Sequence, residues 1–222
     1  MSDEDPDELL AAAYALDGPE ANRSLYARWA ETYESGYVAQ RRYVAHEQVV
    51  AVFAAHGLAG LSDGDVVADV GCGTGLAGAA LRQHHDVLID GLDISPEMLQ
   101  RASTKQHDGV PVYRSLIEVD LTQRLPIESG TYAGAVSVGT FTHGHVGPAS
   151  LGEVLRIVRP GGVVAIGINA AHFAAAGFGE AFERLVADGR IVDLRLVGVP
   201  IYDGADMTDT NHFAHATVFT VT

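Results

Sequence analysis

The residues able to do chemistry in this chain are a glycine-rich turn, a few well-spaced carboxylates and a pair of histidines. Asp69-Val70-Gly71-Cys72-Gly73-Thr74-Gly75 follows the apolar run Val66-Val67-Ala68 and precedes Leu76-Ala77-Gly78-Ala79-Ala80-Leu81-Arg82. Strand, glycine turn, helix is the architecture of a nucleotide-binding first βα unit. Glycine lets backbone approach a ligand where a Cβ would collide. Gly73 to Gly78 also fits G-x-G-x-x-G, a dinucleotide fingerprint that is weak alone. Asp69 ends the strand just ahead of the glycines, where it repels a pyrophosphate and tolerates a cationic amino-acid moiety. Asp93 ends the next apolar run, where a carboxylate accepts hydrogen bonds from both hydroxyls of a ribose. His143 and His145 lie beyond a further strand, at the carboxyl end where open α/β sheets bind ligands. A histidine near its ordinary pKa can take a proton there. The plainer roles are to line the pocket or cap the following helix. His143, His145, His212 and His215 form two short-spaced pairs without a carboxylate cluster, so no metal site is expected. His46, His56, His84, His85 and His107 read as surface or helix-end residues.

Positioning these groups takes alternating strands and helices. Residues 1–20 are acidic and alanine-rich and read as a frayed or weakly helical, flexible segment, broken at Asp17-Gly18-Pro19. A helix at 20–33 carries Leu25, Tyr26, Trp29 and Tyr33 at helical spacing. Gly36 interrupts it, a helix at 37–56 follows, and Gly57 caps that helix. Strands are expected at 65–70, 89–93, 111–118, 132–138 and 163–168. Helices fall at 76–84, 95–105 with Ser95 as N-cap and Pro96 in the first turn, 149–158 and 176–188. Arg159-Pro160-Gly161-Gly162 is expected to end the helix at 149–158. Strands at 191–199 and 213–221 are joined by a polar loop too short for a crossover helix, so they pair antiparallel. The pattern implies right-handed crossovers and a mostly parallel, doubly wound α/β sheet of seven strands with one antiparallel strand.

Composition narrows the partners. At 222 residues, 47% of them apolar, the chain suits one α/β domain with a real core. Its formal net charge is −15 and Lys105 is its only lysine. No basic stripe is present to hold phosphates, so neither nucleic acid nor an anionic membrane surface is an expected partner. Cys72 stands alone, which rules out an intrachain disulfide and suits a reducing compartment. The start, Ser2-Asp3-Glu4-Asp5-Pro6-Asp7-Glu8, is the opposite of a signal peptide's basic opening. No apolar run nears the ~20 residues that span a bilayer. A cytoplasmic monomer or homodimer is expected.

Taken together, the motifs resemble those of the class I S-adenosylmethionine-dependent methyltransferases, over about residues 20–222. The Asp69–Gly75 turn is similar to that family's first motif, and Gly91-Leu92-Asp93-Ile94-Ser95-Pro96-Glu97-Met98-Leu99 to its second. Asp120-Leu121 matches the acid on the adenine side, and Leu151 to Gly162, with Glu153 and Arg156, the segment before the fifth strand. Tyr26-Ala27-Arg28-Trp29-Ala30-Glu31-Thr32-Tyr33 and Thr142-His143-Gly144-His145-Val146 resemble the Williams–Beuren-region methyltransferase-like group. Tyr132 is followed by Ala133-Gly134, where many members carry an acid peripheral to the cofactor.

The resemblance implies a Rossmann-like fold with a helical N-terminal lid at 21–60 over a core at 61–222. It implies S-adenosyl-L-methionine as cofactor and S-adenosyl-L-homocysteine as product. Gly71, Cys72, Gly73 and Gly75 would shape the turn that carries the methionine and ribose portions, with Asp69 facing the α-amino group. Asp93 would hold the ribose, Asp120 and the Leu121 N–H the adenine, and Ile94 and Met98 its faces, with Val138 beside the cofactor. Tyr26, Trp29 and Tyr33 either pack on the core or close over the sulfonium, where cation–π attraction is worth ~0.5–2 kcal/mol. Methyl transfer needs in-line positioning and a deprotonated acceptor, and His143 or His145 would take the proton. The expected reaction is transfer to an oxygen or nitrogen of a small molecule.

Two other readings compete. A nicotinamide-dependent oxidoreductase shares the glycine fingerprint, but Asp69, the remote Lys105 and Pro160-Gly161-Gly162 argue against it. A protein that binds the cofactor without turnover would fill the acceptor space with residues 141–147 and 202–212.

Overall fold

Val66–Val70, the strand β1, is buried along its whole length. Its side chains alternate between two layers, as strand geometry requires. Val66, Ala68 and Val70 join a core with Leu92, Phe141 and Phe178, while Val67 joins Val49, Phe53 and Leu81 on the opposite face. The remaining strands are β2 (Leu88–Asp93), β3 (Ser115–Glu118), β4 (Tyr132–Phe141), β5 (Val158–Asn169), β6 (Ile191–Pro200) and β7 (Phe213–Val221). They form one seven-stranded sheet in the order β3-β2-β1-β4-β5-β7-β6. β1 pairs in parallel with β2 and with β4. β7 alone is reversed and pairs antiparallel with both β5 and β6, as the short polar loop before it implies. The strand order turns at β1 and β4, the switch point where such sheets bind ligands.

This computed structural model describes residues 6–222. Residues 1–5, the start of the segment expected to be flexible, lie outside the described residues. The helices are α1 (Pro6–Tyr14), α2 (Pro19–Trp29), α3 (Ala45–Gly57), α4 (Leu76–His84), α5 (Pro96–Ala102), α6 (Leu151–Ile157), α7 (Ala170–Ala175) and α8 (Phe178–Ala187). Among the described residues, no helix is long and apolar enough to cross a membrane. Within the stretch expected to be frayed or weakly helical, α1 buries Leu9 and Ala13 against Leu25, Trp29 and Tyr37 of the next elements.

Several boundaries differ from the sequence expectation, each for a local reason. The continuous helix expected at 37–56 is a π-helix over Glu34–Val38, a turn at Ala39–Arg41 and then α3. The break is tertiary: Arg42 takes a left-handed conformation, and the N–H groups of Val44 and Ala45 both donate to the Ile201 carbonyl. The helix expected to reach 158 stops at Ile157, and Arg159 to Gly162 belong to β5 through an irregularity in its pairing with β4. Proline cannot continue a helix, so the backbone joins the sheet. The helix expected at 176–188 is α8, which starts after Gly177 with φ +76°, and α7 just ahead of it is a further short helix that the sequence reading did not include. The strand expected at 111–118 is reduced to β3, preceded by a small hairpin that pairs Gln106–His107 with Val110–Pro111. β4 runs three residues past the expected 138, to Phe141.

Two side-chain networks hold the loops that frame the site. Glu153 accepts from the Leu125 N–H at 2.8 Å and binds Arg156 through both oxygens, while Arg156 donates to the Leu125 and Ile127 carbonyls. The Arg156 guanidinium holds the Glu153 carboxyl down at about 2. This fixes the chain just beyond Asp120. At the N-terminal side, Arg23 donates to the Ile94 carbonyl and pairs with Glu118, and Lys105 pairs with Glu34 at 2.7 Å.

Candidate functional site

At the switch point a cleft of about 1100 Å³ opens between the strand ends and the N-terminal helices. Gly71, Cys72 and Gly73 form part of its wall. Gly71 has φ +70°, and a Cβ there would stand 1.8 Å from the Thr140 hydroxyl oxygen. Only glycine permits both that conformation and that approach. Thr140 donates to the Val70 carbonyl at 3.2 Å, locking β4 to the turn. Gly75 does not line the cleft; with φ +94° it sets the start of α4.

Asp93, from the end of β2, lines the cleft and braces the turn. One of its oxygens accepts from the Gly73 N–H at 2.8 Å and the other from the Ser95 N–H at 2.9 Å. Burial raises its pKa against those bonds. Ile94, Met98, Asp120, Leu121 and Val138 also line the cleft. Asp120 accepts the N–H and the hydroxyl of Thr122 with the same oxygen, at 2.8 and 2.6 Å.

Asp69 lies elsewhere than the sequence implies. It is fully buried behind the turn and is not a lining residue. Its side chain projects to the same face as Val67, where Tyr113 donates to one oxygen at 2.7 Å. The other oxygen, Oδ1, has no partner. Burial pushes the carboxyl up to about 7.

The histidine pair is split. His145 lines the cleft, and His143 does not. The His143 carbonyl accepts from His145 Nδ1 at 2.7 Å, which leaves Nε2 as the acceptor for the Tyr26 hydroxyl at 2.8 Å. That assignment follows from the bonding pattern, because a carbonyl only accepts. Burial lowers the His145 pKa, so the ring is neutral at neutral pH. The His143 ring packs instead on Tyr14 and His172, at centroid distances of 5.6 and 5.0 Å.

The aromatic stripe is divided as well. Tyr26 and Tyr33 line the cleft. Trp29 is set back, stacked on Tyr26 at 5.8 Å, and lines a second cavity of about 600 Å³. Tyr26, Tyr33, Tyr43, Val138, Gly139 and His145 line both spaces, so the two adjoin along these residues. Tyr43 and His46 are cleft residues that the sequence did not reveal. His46, expected at the surface, stacks on Tyr43 at 5.7 Å, and its Nδ1 is buried without a partner. Its placement follows from the break before α3, which no local signal announces. Among the described residues, no three potential metal ligands gather.

Comparison with known proteins places this geometry. Residues 67–162 match the family model described as a methyltransferase domain. Human Methyltransferase-like protein 27 is 33% identical over 158 residues, covering 71% of this chain and 61% of that protein. The 18S rRNA (guanine(1575)-N(7))-methyltransferase of Saccharomyces cerevisiae is 33% identical over 95 residues, covering 43% of this chain and 33% of that one. The chain thus spans less than two thirds of the length of either relative. In fold it is similar to the magnesium protoporphyrin IX methyltransferase of Synechocystis PCC 6803, solved with bound S-adenosylhomocysteine. That match has a TM-score of 0.64 and 18% identity, over 93% of this chain and 100% of the other. Residues 67–162 are thus a methyltransferase domain, and the seven-stranded order and the Asp69–Gly75 turn are in keeping with the class I S-adenosylmethionine-dependent kind.

Proposed function

We propose that this protein moves a methyl group from S-adenosylmethionine to an oxygen or nitrogen atom of a small molecule. The observation that carries this reading is the polarity of the cleft. Asp93 and Asp120 line it, and no lysine or arginine does among the described residues. Asp69 Oδ1, Thr74 Oγ1 and His46 Nδ1 are buried without partners at or behind its wall. A cationic ligand with an amino-acid tail suits such a site, whereas a dinucleotide's pyrophosphate would find carboxylates and no cation. The cofactor, when bound, supplies an activated methyl group on a sulfonium.

Each residue then has a task. Asp93 holds the ribose hydroxyls. Asp120 and the Leu121 N–H address the adenine, with Ile94 and Met98 against its faces. The backbone at Gly71, Cys72 and Gly73 carries the methionine end, Gly75 holds the turn to α4, and Asp69 balances the ammonium charge from behind. Tyr26 and Tyr33 face the sulfonium, Val138 sits beside it, and Trp29 supports Tyr26. Residues 21–60 act as a lid over the core at 61–222. His145 Nε2 is the base: Tyr26 passes its proton to Nε2 as it takes one from the acceptor. His143 orients that ring through its carbonyl.

A small acceptor is supported by the net charge of −15, which opposes the phosphate contacts an RNA acceptor needs. A cytoplasmic setting suits the unpaired Cys72. The test is calorimetry with S-adenosylhomocysteine and with NAD. Saturable binding of the first and none of the second is expected; the opposite result sinks the proposal.

A further inference from the structure

Among the described residues, the second cavity differs from the cleft in having no charged lining residue. Its described lining contains no Asp, Glu, Lys or Arg. It is walled by Tyr14, Trp29, Tyr37 and aliphatic groups such as Leu10 and Ile201, with His145 on the side shared with the cleft. Burial raises the pKa of Tyr33, Tyr37 and Tyr43 well above the usual phenol range, and lowers that of His145. Every titratable group among the described residues facing this space is therefore neutral at pH 7. Trp29 is 1% exposed. Its indole N–H has no partner, and indole can only donate. An orphaned buried donor is costly, and a ligand oxygen that accepts from it removes the cost.

We infer that this cavity is the acceptor chamber and that it takes a small uncharged phenol bearing a second oxygen that accepts from Trp29. This rests on the methyl-transfer reading. Neutrality follows from the lining, because an ion buried without a partner loses its hydration uncompensated. A protonated amine also lacks the lone pair that methylation needs. In the reaction the phenol oxygen uses a lone pair to form the O–CH3 bond. The S–CH3 bond breaks with its electron pair going to sulfur. The phenol proton moves to Tyr26 as Tyr26 gives its own to His145 Nε2.

Trp29 is the only tryptophan in the chain, so its fluorescence reports on this chamber. The test titrates protein saturated with S-adenosylhomocysteine with the three hydroxyacetophenone isomers, and compares ethylphenols, hydroxybenzoates and hydroxybenzylamines of the same shape. At least one hydroxyacetophenone should change the Trp29 emission saturably. It should bind about 10-fold more tightly than its ethylphenol counterpart, the size expected for one satisfied buried donor. The hydroxybenzoate and hydroxybenzylamine should bind more weakly still. Trp29→Phe, followed by calorimetry, should erase the preference over ethylphenol and leave ethylphenol binding in place. Equal or tighter binding of the charged analogues overturns the inference. So does an equal affinity for ethylphenol in the unaltered protein, which needs no variant to fold. Intact S-adenosylhomocysteine binding with no response to any probe overturns it as well. Loss of S-adenosylhomocysteine binding itself counts against the methyl-transfer reading instead.

Discussion

The two cavities that meet at Tyr26 and His145 are built on opposite plans. The cleft is made by the ends of β1, β2 and β4 and by a glycine turn, and it keeps carboxylates at its wall. The second cavity is made largely by the N-terminal helices and β-strand flanks, and none is found among its described lining residues. Strand ends are rigid and present backbone donors and acids, which suits one fixed polar ligand. Helix faces present side chains that can change without disturbing the sheet, which suits a variable partner. On this reading the sheet determines the donor and the helices determine the acceptor.

The largest effect expected from this contrast is at Asp69. Its carboxyl has an ordinary value of 3.8 and is pushed up to about 7 in the fold. The folded state binds the extra proton, so stability declines as pH rises from about 4 through about 7. The loss is on the order of 2–4 kcal/mol. Asp69→Asn should flatten that decline and melt higher than the unaltered protein at pH 8 without ligand. An unchanged pH dependence in thermal melts would show that Asp69 carries no such burden. Because a cationic ligand would ionise it, binding near pH 7 should also release a proton. Calorimetry in two buffers of different ionisation enthalpy reads this directly.

Next comes the boundary that the two spaces share. His145→Gln should lower turnover about 100-fold, in the range for a lost general base, and leave S-adenosylhomocysteine affinity within a few-fold. Turnover of the unaltered protein should be flat above pH 6.5 and fall as pH drops through the lowered His145 value. His143→Asn, by contrast, should change turnover little, since only its carbonyl touches His145. Equal losses at the two positions would undo the distinction drawn between them.

A smaller effect is expected within the cleft. Asp93→Ala should weaken S-adenosylhomocysteine about 10-fold, in proportion to one lost charged hydrogen-bond acceptor. It should not alter the binding of a phenol to the second cavity, and a change there of similar size would mean that Asp93 serves both ligands rather than the donor alone. The smallest effect is at the clamp. Glu118→Gln removes the exposed pair with Arg23 while leaving the Arg23 bond to the Ile94 carbonyl, and should cost under about 1 kcal/mol, less at high salt. Thermal melts at two salt concentrations check it.

How far the sequence could be read follows the same division. β1, the glycine turn, Asp93 and the reversed β7 were legible because local signals specify them: apolar runs, glycines, the Ser95-Pro96 helix start and a loop too short to cross over. The chamber was not. Trp29 and Tyr26 share a helix stripe that fits either cavity, and only the stacked packing puts Trp29 behind. Tyr43 and His46 reach the cleft because Tyr43 bridges Tyr202 and because Ile201 captures the amides of Val44 and Ala45. Those partners are far away in the chain, so no window of neighbouring residues records them. Asp69 misled for a different reason. Its position in the motif is right, but strand alternation sends its side chain to the far face, toward Tyr113.

The reversed strand has a consequence for the order of synthesis. β6 lies at the edge of the sheet and pairs only with β7, and β7 is threaded between it and β5. While the chain emerges from a ribosome, β6 is therefore made before the only strand that can hold it, and β5 waits with one flank uncovered. The polar loop between β6 and β7 must remain free until Phe213–Val221 appears and inserts. Strand β1, the turn and β4 can assemble long before that. A nascent chain halted before residue 213 should display the half of the sheet that carries the glycine turn while still exposing the β5 edge.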